Sequence, residues 1–589
     1  MIAVHVTHEA VEKMGGIGTV IAGLATTPAY REVFDRTVLV GPLLATDRPA
    51  AERLGPDGEI IYSTLDDIDA NGWSTKFKPI EHTYGVSIIY GRRKLIDDYS
   101  ARIAEVEVVL VDVFRYNNDR LNLFKALLYS RFGIASQTFE HTWEYEQYVR
   151  LAEPAIEALH AIGCVGTPEE PVVLLGHEYM GIPTALKAMS DGWPNVRTVF
   201  YAHEVASVRE IVEKNAGHDL MFYNLLAAGE RAGKSLEDYF PGVVGFFKHP
   251  IVKAGRHCDA IFAVGDLVGR EMRFVSSDTQ ETPVEIVYNG VPSGRQSLTA
   301  RRRHRDRLKE YARNLFGFQP DFVFTHVARP VLSKGIWRDL RVLHEVDAQF
   351  SKDGRTGAYF MLGTLAGQRR TRDVLHMERV YGWPVHHQRG YPDLCNGEET
   401  LGELFEDFNR NHQAVRVVLI NQFGWQRSLC GLRMPEAMTI ADIRRGTDAE
   451  FGLSVYEPFG ISQLEPLAFG AICLVSNVCG CMALVHSAAE GSIPDNIIEG
   501  DFARLGGDLG ADPMRIGMTD RDAIEACEGR RLAEELLRRL PAGDERSAAL
   551  LESGHRLSQR LSWDHVVPEY FLPAVERLCK RDELAEATR

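Results

Sequence analysis

An α/β fold built from two doubly wound, Rossmann-like domains is the class this sequence predicts. Three observations carry it. Short apolar, β-rich runs alternate with helical stretches along most of the chain, as strands of a sheet covered on both faces do. The alternation restarts near Asp321, after a charged interruption at 295–314. Finally, 589 residues exceed what one hydrophobic core supports, so two or more domains follow.

The runs at 2–7, 37–40, 86–90, 106–113, 172–176, 198–202, 260–264 and 284–288 read as strands of a first domain. Helical patterns at 121–130, 140–162 and 182–189 fall between several of them. The second domain reads as strands at 322–327, 358–362, 415–420, 453–456 and 472–476. The charged interruption, with Arg301, Arg302, Arg303, His304 and Arg305, reads as a solvated helix opening that domain. Acidic residues break up the run, which argues against a nucleic-acid patch. Residues 367–413 are too long for an ordinary loop and read as an inserted helical element or a functional excursion. The histidines of that stretch, His386 and His387, are expected to be exposed. The expected boundaries are 1–295, 296–555 and a helical tail at 556–589.

Composition narrows the function classes. The hydrophobic share of 45% and the charged share of 25% are those of an ordinary soluble globular protein. A net charge of −16, from 66 basic and 82 acidic residues, disfavours nucleic acid or an anionic membrane as the main partner. Nine scattered cysteines fit reduced thiols in a cytoplasm. Cys479 and Cys481 stand close together, but no second pair completes a zinc site, and no metal is expected. The opening MIAVHVTHEAVEK lacks the pattern of a signal peptide. No run approaches the ~18 apolar residues of a membrane span.

The candidate chemistry clusters where predicted strands end. From Glu450 to Val485 a strand, a loop holding Glu457, a short helix holding Glu465 and a second strand make a βαβ ligand site. Seven residues separate the two glutamates, and alone the pair reads more readily as a helix cap and a solvated carboxylate. After the first strand come Lys13, Gly15, Gly16 and Gly18, a glycine loop opening a helix. Such a loop can cradle a phosphate on backbone amides, or can be a tight structural turn. His177 and Glu178 follow the strand at 172–176 and either bind an acceptor or cap the next helix. His203 follows the strand at 198–202 and reads equally as a hydroxyl ligand or a satisfied core histidine. Arg329 and Lys334 place two cations past the strand at 322–327, suited to a diphosphate or to the surface.

Together these pieces resemble the glycogen and starch synthases, within the retaining glycosyltransferases of the GT-B fold. The resemblance rests on KMGGIGTV after the first strand, ARPVLSKG at Arg329 to Gly335, EPFGISQLE at Glu457 to Glu465, VYNGV at Asn289-Gly290 and SWD at Trp563. Two departures stand out: Pro292-Ser293 after the Asn-Gly turn, and Gly480-Cys481-Met482 in the phosphate turn. The resemblance implies two Rossmann-like domains facing a central cleft, with a C-terminal helix crossing back to the first domain. It implies that Lys13, Gly15 and Gly16 sit by the donor diphosphate and sugar, and that His203 contacts the sugar's hydroxymethyl side. Arg329 and Lys334 would neutralise the departing phosphates. Glu457, helped by the Phe459 and Gly460 amides, would bind sugar hydroxyls, and Glu465 would hold the ribose.

The implied reaction moves glucose, with retention, from a nucleoside diphosphate glucose to the 4-hydroxyl of an α-glucan. The nucleotide sugar is a substrate, and no cofactor is expected. The expected partners are that donor and a carbohydrate acceptor, with no nucleic acid and no membrane span; a homo-oligomer stays open. Three other readings compete. A related transferase could use a small acceptor such as a sugar phosphate or glycerate, or another nucleotide sugar. A glucan phosphorylase should carry a recognisable cofactor lysine, and none is evident. A binding protein on the same scaffold should have lost some of the phosphate ligands.

Overall fold

The computed structural model describes residues 1–12, 15–44, 48–55, 57–97, 99–489, 491–504 and 512–587, with side chains to residue 580. The chain divides into two compact units. The first comprises Met1–Glu210, Ala228–Gly290 and Trp563–Arg589; the second comprises Ile211–Ala227 and Val291–Ser562.

The first unit is built on strands β1 (Ile2–Val6), β2 (Arg36–Pro42), β3 (Glu59–Ser63), β4 (Ile68–Asp69), β5 (Ser87–Ile96), β6 (Ile103–Asp112), β7 (Val172–His177), β8 (Val196–Ala202), β9 (Ala260–Ala263) and β10 (Val284–Ile286). Among the described residues they form one sheet in the order β10-β9-β8-β7-β1-β2-β6-β5-β3-β4. From β10 to β6 all neighbours are parallel. Val4, Val6, Val38, Val40, Leu174 and Leu175 are fully buried there, because helices cover both faces. The far edge departs from a purely parallel sheet. β5 runs antiparallel to β6, and β3 antiparallel to β5 and β4. The short turn between β5 and β6 leaves no room for a crossover, so only an antiparallel pairing can form. β3 and β4 escape the sequence reading because they are short edge strands with little buried surface.

The second unit holds β11 (Phe322–Val327), β12 (Gly357–Leu362), β13 (Val415–Ile420), β14 (Ala449–Gly452), β15 (Ile472–Ser476) and β16 (Ile497–Gly500). They are parallel throughout, in the order β13-β12-β11-β14-β15-β16. That is the doubly wound order, with its reversal between β11 and β14. The strand expected at 453–456 is displaced: β14 ends at Gly452. The apolar residues after it are buried without joining the ladder, because the Val455 amide donates to the Ser333 carbonyl instead (2.8 Å). β16 was not anticipated.

Residues 367–413 are helical, as one of the two expectations had it, but are not an insertion into the sheet order. They form the β12-to-β13 crossover, with helices Thr371–Tyr381 and Glu398–Asn411. Leu401, Phe405 and Phe408 of the second helix enter the core beneath the sheet. His386 is exposed, whereas His387 is largely enclosed; it is bonded to Asp393 (2.8 Å) and to the Leu419 carbonyl (3.0 Å). The charged helix, Leu298–Phe316, is only partly solvated. Arg301 and His304 are buried, Arg305 pairs with Asp448 (2.8 Å) and His304 with Asp442 (2.6 Å). Its positive charge is therefore spent within the unit.

Segment Ile211–Ala227 belongs to the second unit although its neighbours in sequence belong to the first. The fully buried Arg338 holds it there, pairing with Asp219 (2.6 Å) and with Glu525 (2.8 Å) of the helix Met518–Arg539. Two carboxylates around one guanidinium satisfy a charge that could not otherwise be buried.

The chain's last helices return to the first unit, and Trp563 explains how. A Cβ on Gly23 would lie 2.2 Å from its ring and one on Gly290 2.5 Å away, so both glycines exist to admit the indole. Asp564 adds a bidentate pair with Arg102 (2.5 and 2.9 Å). Gly23→Ala should therefore destabilise the protein by about 1–3 kcal/mol through overpacking. Trp563→Leu in the same chain should recover part of that loss. Denaturant unfolding of the double-mutant cycle, followed by circular dichroism, checks this; strict additivity would show that the two residues do not press on each other.

Candidate functional site

In a doubly wound sheet, ligand groups collect outside the carboxyl ends of the strands, beside the point where the strand order reverses. Each unit has such a point. In the first it lies between β1 and β7, and in the second between β11 and β14.

In the first unit, β1 leads to helix Ile17–Thr26 through the glycine loop. Lys13 lies outside the described residues. Gly16 is the N-cap residue, and a Cβ there would meet nothing within 4 Å. The helix start already has an anion: the buried Glu9 carboxylate accepts the Gly18 amide (2.8 Å) and lies beside Gly15. A phosphate approaching Gly15 and Gly16 would meet a fixed negative charge as well as the helix dipole.

His177 ends β7 and Glu178 starts the next helix. His177 occupies the N-cap position, but its side chain makes no capping bond to that helix. The His177 ring lies between His5 and His203, with Nε2 2.8 Å from His5 Nδ1 and Nδ1 2.7 Å from His203 Nε2. Burial pushes His5 and His203 down to about 3 and His177 well below the ordinary imidazole value, so all three are neutral at pH 7. His203 is partly accessible. Glu178 sits in the left-handed region (φ +56°), a strained conformation for a side chain of its size. One carboxyl oxygen accepts the Glu204 amide (2.5 Å); the other has no hydrogen-bond partner. Burial, reinforced by the nearby Glu204 charge, raises its pKa well above the carboxylate range.

The second unit holds the charged residues. Past β11, Arg329 is exposed and its side chain has no hydrogen bond or ion pair among the described residues, while its carbonyl accepts the Val331 amide (2.8 Å). Gly335 closes the following turn at φ +61°, where a Cβ would lie 2.4 Å from the Leu453 carbonyl, so only glycine fits. This close approach delivers Lys334 to the carboxyl end of β14, and its ammonium is ion-paired with Glu457. Gln463 steadies that carboxylate (3.2 Å) and also bonds Ser454 (3.0 Å). Phe459 is buried and Gly460 starts a one-turn helix at φ +94°. Neither amide donates to another described residue. Glu465 is not solvated; it pairs with the buried Arg444 (2.8 Å), which also pairs with Glu450 (2.9 Å).

The structure thus brings Lys334, Glu457, Phe459 and Gly460 together, with Glu465 at the end of the same short helix. The glycine turn that follows is threaded against them: the Gly480 and Cys481 amides donate to the Glu457 (3.0 Å) and Phe459 (2.9 Å) carbonyls. Cys479, Cys481 and Met482 are buried, so the cysteines face the core. Among the described residues no cluster of histidine, cysteine and carboxylate side chains is arranged to hold a metal ion. Gln463 and Arg444 were missed. Gln463 lies inside the glutamate motif and could have been found from its position there. Arg444 has no local signal, because only tertiary packing aims it at two carboxylates.

No protein-family model matches the sequence, and no curated protein does. Solved structures do. The α,α-trehalose 6-phosphate synthase of Burkholderia multivorans matches with a TM-score of 0.50 at 13% identity, over 100% of this chain and 99% of that one. The UDP-forming α,α-trehalose-phosphate synthase of Burkholderia xenovorans gives 0.48 at 12%, over 98% and 99%. The catalytic domain of starch synthase IV from Arabidopsis thaliana gives 0.46 at 13%, over 95% and 99%. Together with the two Rossmann-like units, the likeness to the Burkholderia multivorans enzyme shows that the fold is GT-B.

Glu178 yields a pH prediction. A carboxyl group whose pKa is raised by folding binds its proton more tightly in the native state. The fold therefore loses stability as pH rises above the ordinary glutamate value of about 4.3. Glu178→Gln removes that loss, so the variant's gain in thermal midpoint over wild type should be larger at pH 8 than at pH 5. Thermal unfolding of both proteins at the two pH values checks the sign.

Proposed function

We propose that this GT-B protein is a retaining hexosyltransferase that uses a nucleoside diphosphate glucose as donor and the 4-hydroxyl of an α-glucan as acceptor. The observation that carries the proposal is the Lys334–Glu457 pair past β14, with the unpaired Arg329 a few residues before Lys334. Departure of a nucleoside diphosphate leaves an oxocarbenium-like sugar and concentrates negative charge on the leaving phosphate. Arg329 and Lys334 stabilise that charge, and their contribution is larger in the transition state than in the bound donor. Glu457 accepts hydrogen bonds from sugar hydroxyls, and the Phe459 and Gly460 amides, free of internal acceptors, donate to oxygens beside it. Glu465, held by Arg444, presents its remaining acceptor capacity to the ribose. His203, in the first unit, meets the sugar's hydroxymethyl side.

In this reading Glu457 and Glu465 are hydrogen-bond acceptors and not an acid and nucleophile pair. Each is already committed as an acceptor to a cation, Glu457 to Lys334 and Glu465 to Arg444. The leaving phosphate takes the acceptor's proton on the face from which it departs. No bound metal is needed where fixed cations meet the diphosphate.

The second reading keeps the donor and changes the acceptor to a small sugar phosphate. It is favoured by the name of the Burkholderia multivorans enzyme, a trehalose 6-phosphate synthase, whose chain aligns over the whole of this one. The same donor residues serve both readings. Nucleotide release from a panel of nucleoside diphosphate sugars, measured with glucan and with sugar phosphates, separates them. Arg329→Ala and Lys334→Met should each lower turnover about 10²- to 10³-fold, the usual cost of removing one charge-stabilising contact. A folded double variant that turns over like wild type would sink the assignment.

A further inference from the structure

Behind His203 lies a continuous hydrogen-bonded chain within the first unit that the proposed chemistry does not use. From the interior outward it runs Thr37 Oγ1, Tyr30 hydroxyl, His5, His177, His203. The separations are 3.4 Å from Thr37 to Tyr30, 3.0 Å from Tyr30 to His5 Nε2, and 2.8 and 2.7 Å between successive imidazoles. Tyr30, His5 and His177 are essentially excluded from solvent. The His177 and His203 rings are 9° from parallel with centroids 5.0 Å apart. With their nitrogens in hydrogen-bond contact, the rings meet edge to edge and not face to face.

A neutral imidazole has one N–H and one lone pair. Each nitrogen-to-nitrogen bond consumes one of each, so His177, bonded through both nitrogens, must accept on one side and donate on the other. The three rings are therefore locked in step: all carry the proton on Nδ1, or all carry it on Nε2. The inner end of the chain chooses. If all three are Nδ1–H, the Tyr30 hydroxyl donates to His5 Nε2 across 3.0 Å, matching the stronger donor to the stronger acceptor. If all three are Nε2–H, that hydroxyl must turn to Thr37 across 3.4 Å, at the limit of a hydrogen bond, and accept from His5. The first arrangement satisfies the buried phenol and the second does not.

We propose that Tyr30, His5 and His177 form a tautomer lock that makes His203 Nδ1 an obligate hydrogen-bond donor, so that this position of the site reads an oxygen acceptor such as a sugar hydroxyl. His203 Nδ1 has no hydrogen-bond partner among the described residues, so its proton is available to a ligand. Tyr30, His5 and His177 are positioning residues: they touch no ligand and act only through His203. The inference rests on the proposed function solely for what His203 contacts.

Neutron diffraction from deuterium-exchanged crystals of the full chain tests the lock directly. In the wild type, deuterium is expected on Nδ1 of His5, His177 and His203. Tyr30→Phe removes the donor that selects this direction. Deuterium at His177 and His203 should then no longer be confined to Nδ1, and kcat/KM for the nucleotide sugar should fall at least ten-fold. Thr37→Val, which spares the Tyr30–His5 bond, should leave both unchanged. Deuterium on Nε2 of any of the three in the wild type, or an unaltered Nδ1 pattern in Tyr30→Phe, overturns the lock. Absence of transfer by the wild type would overturn the proposed function while leaving the diffraction result to decide the lock alone.

Discussion

A parallel sheet covered on both faces leaves polar side chains almost nowhere to go along its strands, because every alternate residue meets an apolar layer. In both units the central strands are filled mainly by valine, leucine, isoleucine and phenylalanine, buried on either side of the sheet, and the few polar residues among them, such as His5, His326 and Glu450, are held by buried partners. Polar chemistry is thereby driven past the carboxyl ends, and the reversal of strand order parts the connections there, where ligands of such sheets bind. His203 follows β8, Arg329 and Lys334 follow β11, and Glu457 follows β14. Their common placement is a consequence of the sheet. Their identities are the part that encodes function.

Where charge does enter the interior, it is compensated within a few ångströms. Arg338 has Asp219 and Glu525, Arg444 has Glu450 and Glu465, and Arg301 ends on backbone carbonyls at Thr447 and Phe469. Such pairs add little net stability, since desolvation offsets most of the attraction, but removal of one partner is costly. Their use here is geometric. Arg338 ties a segment borrowed from the first half of the sequence to the second unit, and Arg444 fixes the carboxylate of Glu465. Glu178 differs in its backbone: it is a buried carboxyl with an unpaired oxygen held at φ +56°. Strain of that kind persists where the surroundings over-determine a conformation, as they do at ligand sites.

The fold was largely legible because β-branched and aromatic runs of four to seven residues announce buried parallel strands. What was missed is what periodicity cannot see. β3 and β4 sit at an edge and bury little. Residues 453–456 look like a strand, yet their amides are taken by the turn at Ser333. The residues 367–413 look like an insertion because two helices in one crossover give a long polar stretch. For the site, the motifs located the right strand ends but not the state of the groups there. Sequence cannot reveal that Lys334 and Glu457 are bonded to each other, that Glu9 fills a helix start, or that His5, on a strand that reads as simple core, reaches His177. All three depend on contacts between residues distant along the chain or on the exact path of a loop.

The two units differ in electrostatic character, and the difference bears on how a diphosphate sugar could be handled. At the first unit's reversal point the described groups are three neutral imidazoles, a carboxyl whose pKa burial raises, and a carboxylate already bound to a helix amide. Nothing described there offers a free cation. At the second, among the described residues, the Arg329 guanidinium has no paired carboxylate and the Lys334 ammonium is shared with Glu457, so cations stand within reach of an anion. A neutral, direction-locked hydrogen-bond donor suits a hydroxyl, which needs orientation more than charge. Free cations suit a phosphate, which needs charge more than orientation. The resemblance places Lys13, Gly15 and Gly16 beside the donor diphosphate and Arg329 and Lys334 at the departing phosphates; Lys13 lies outside the described residues.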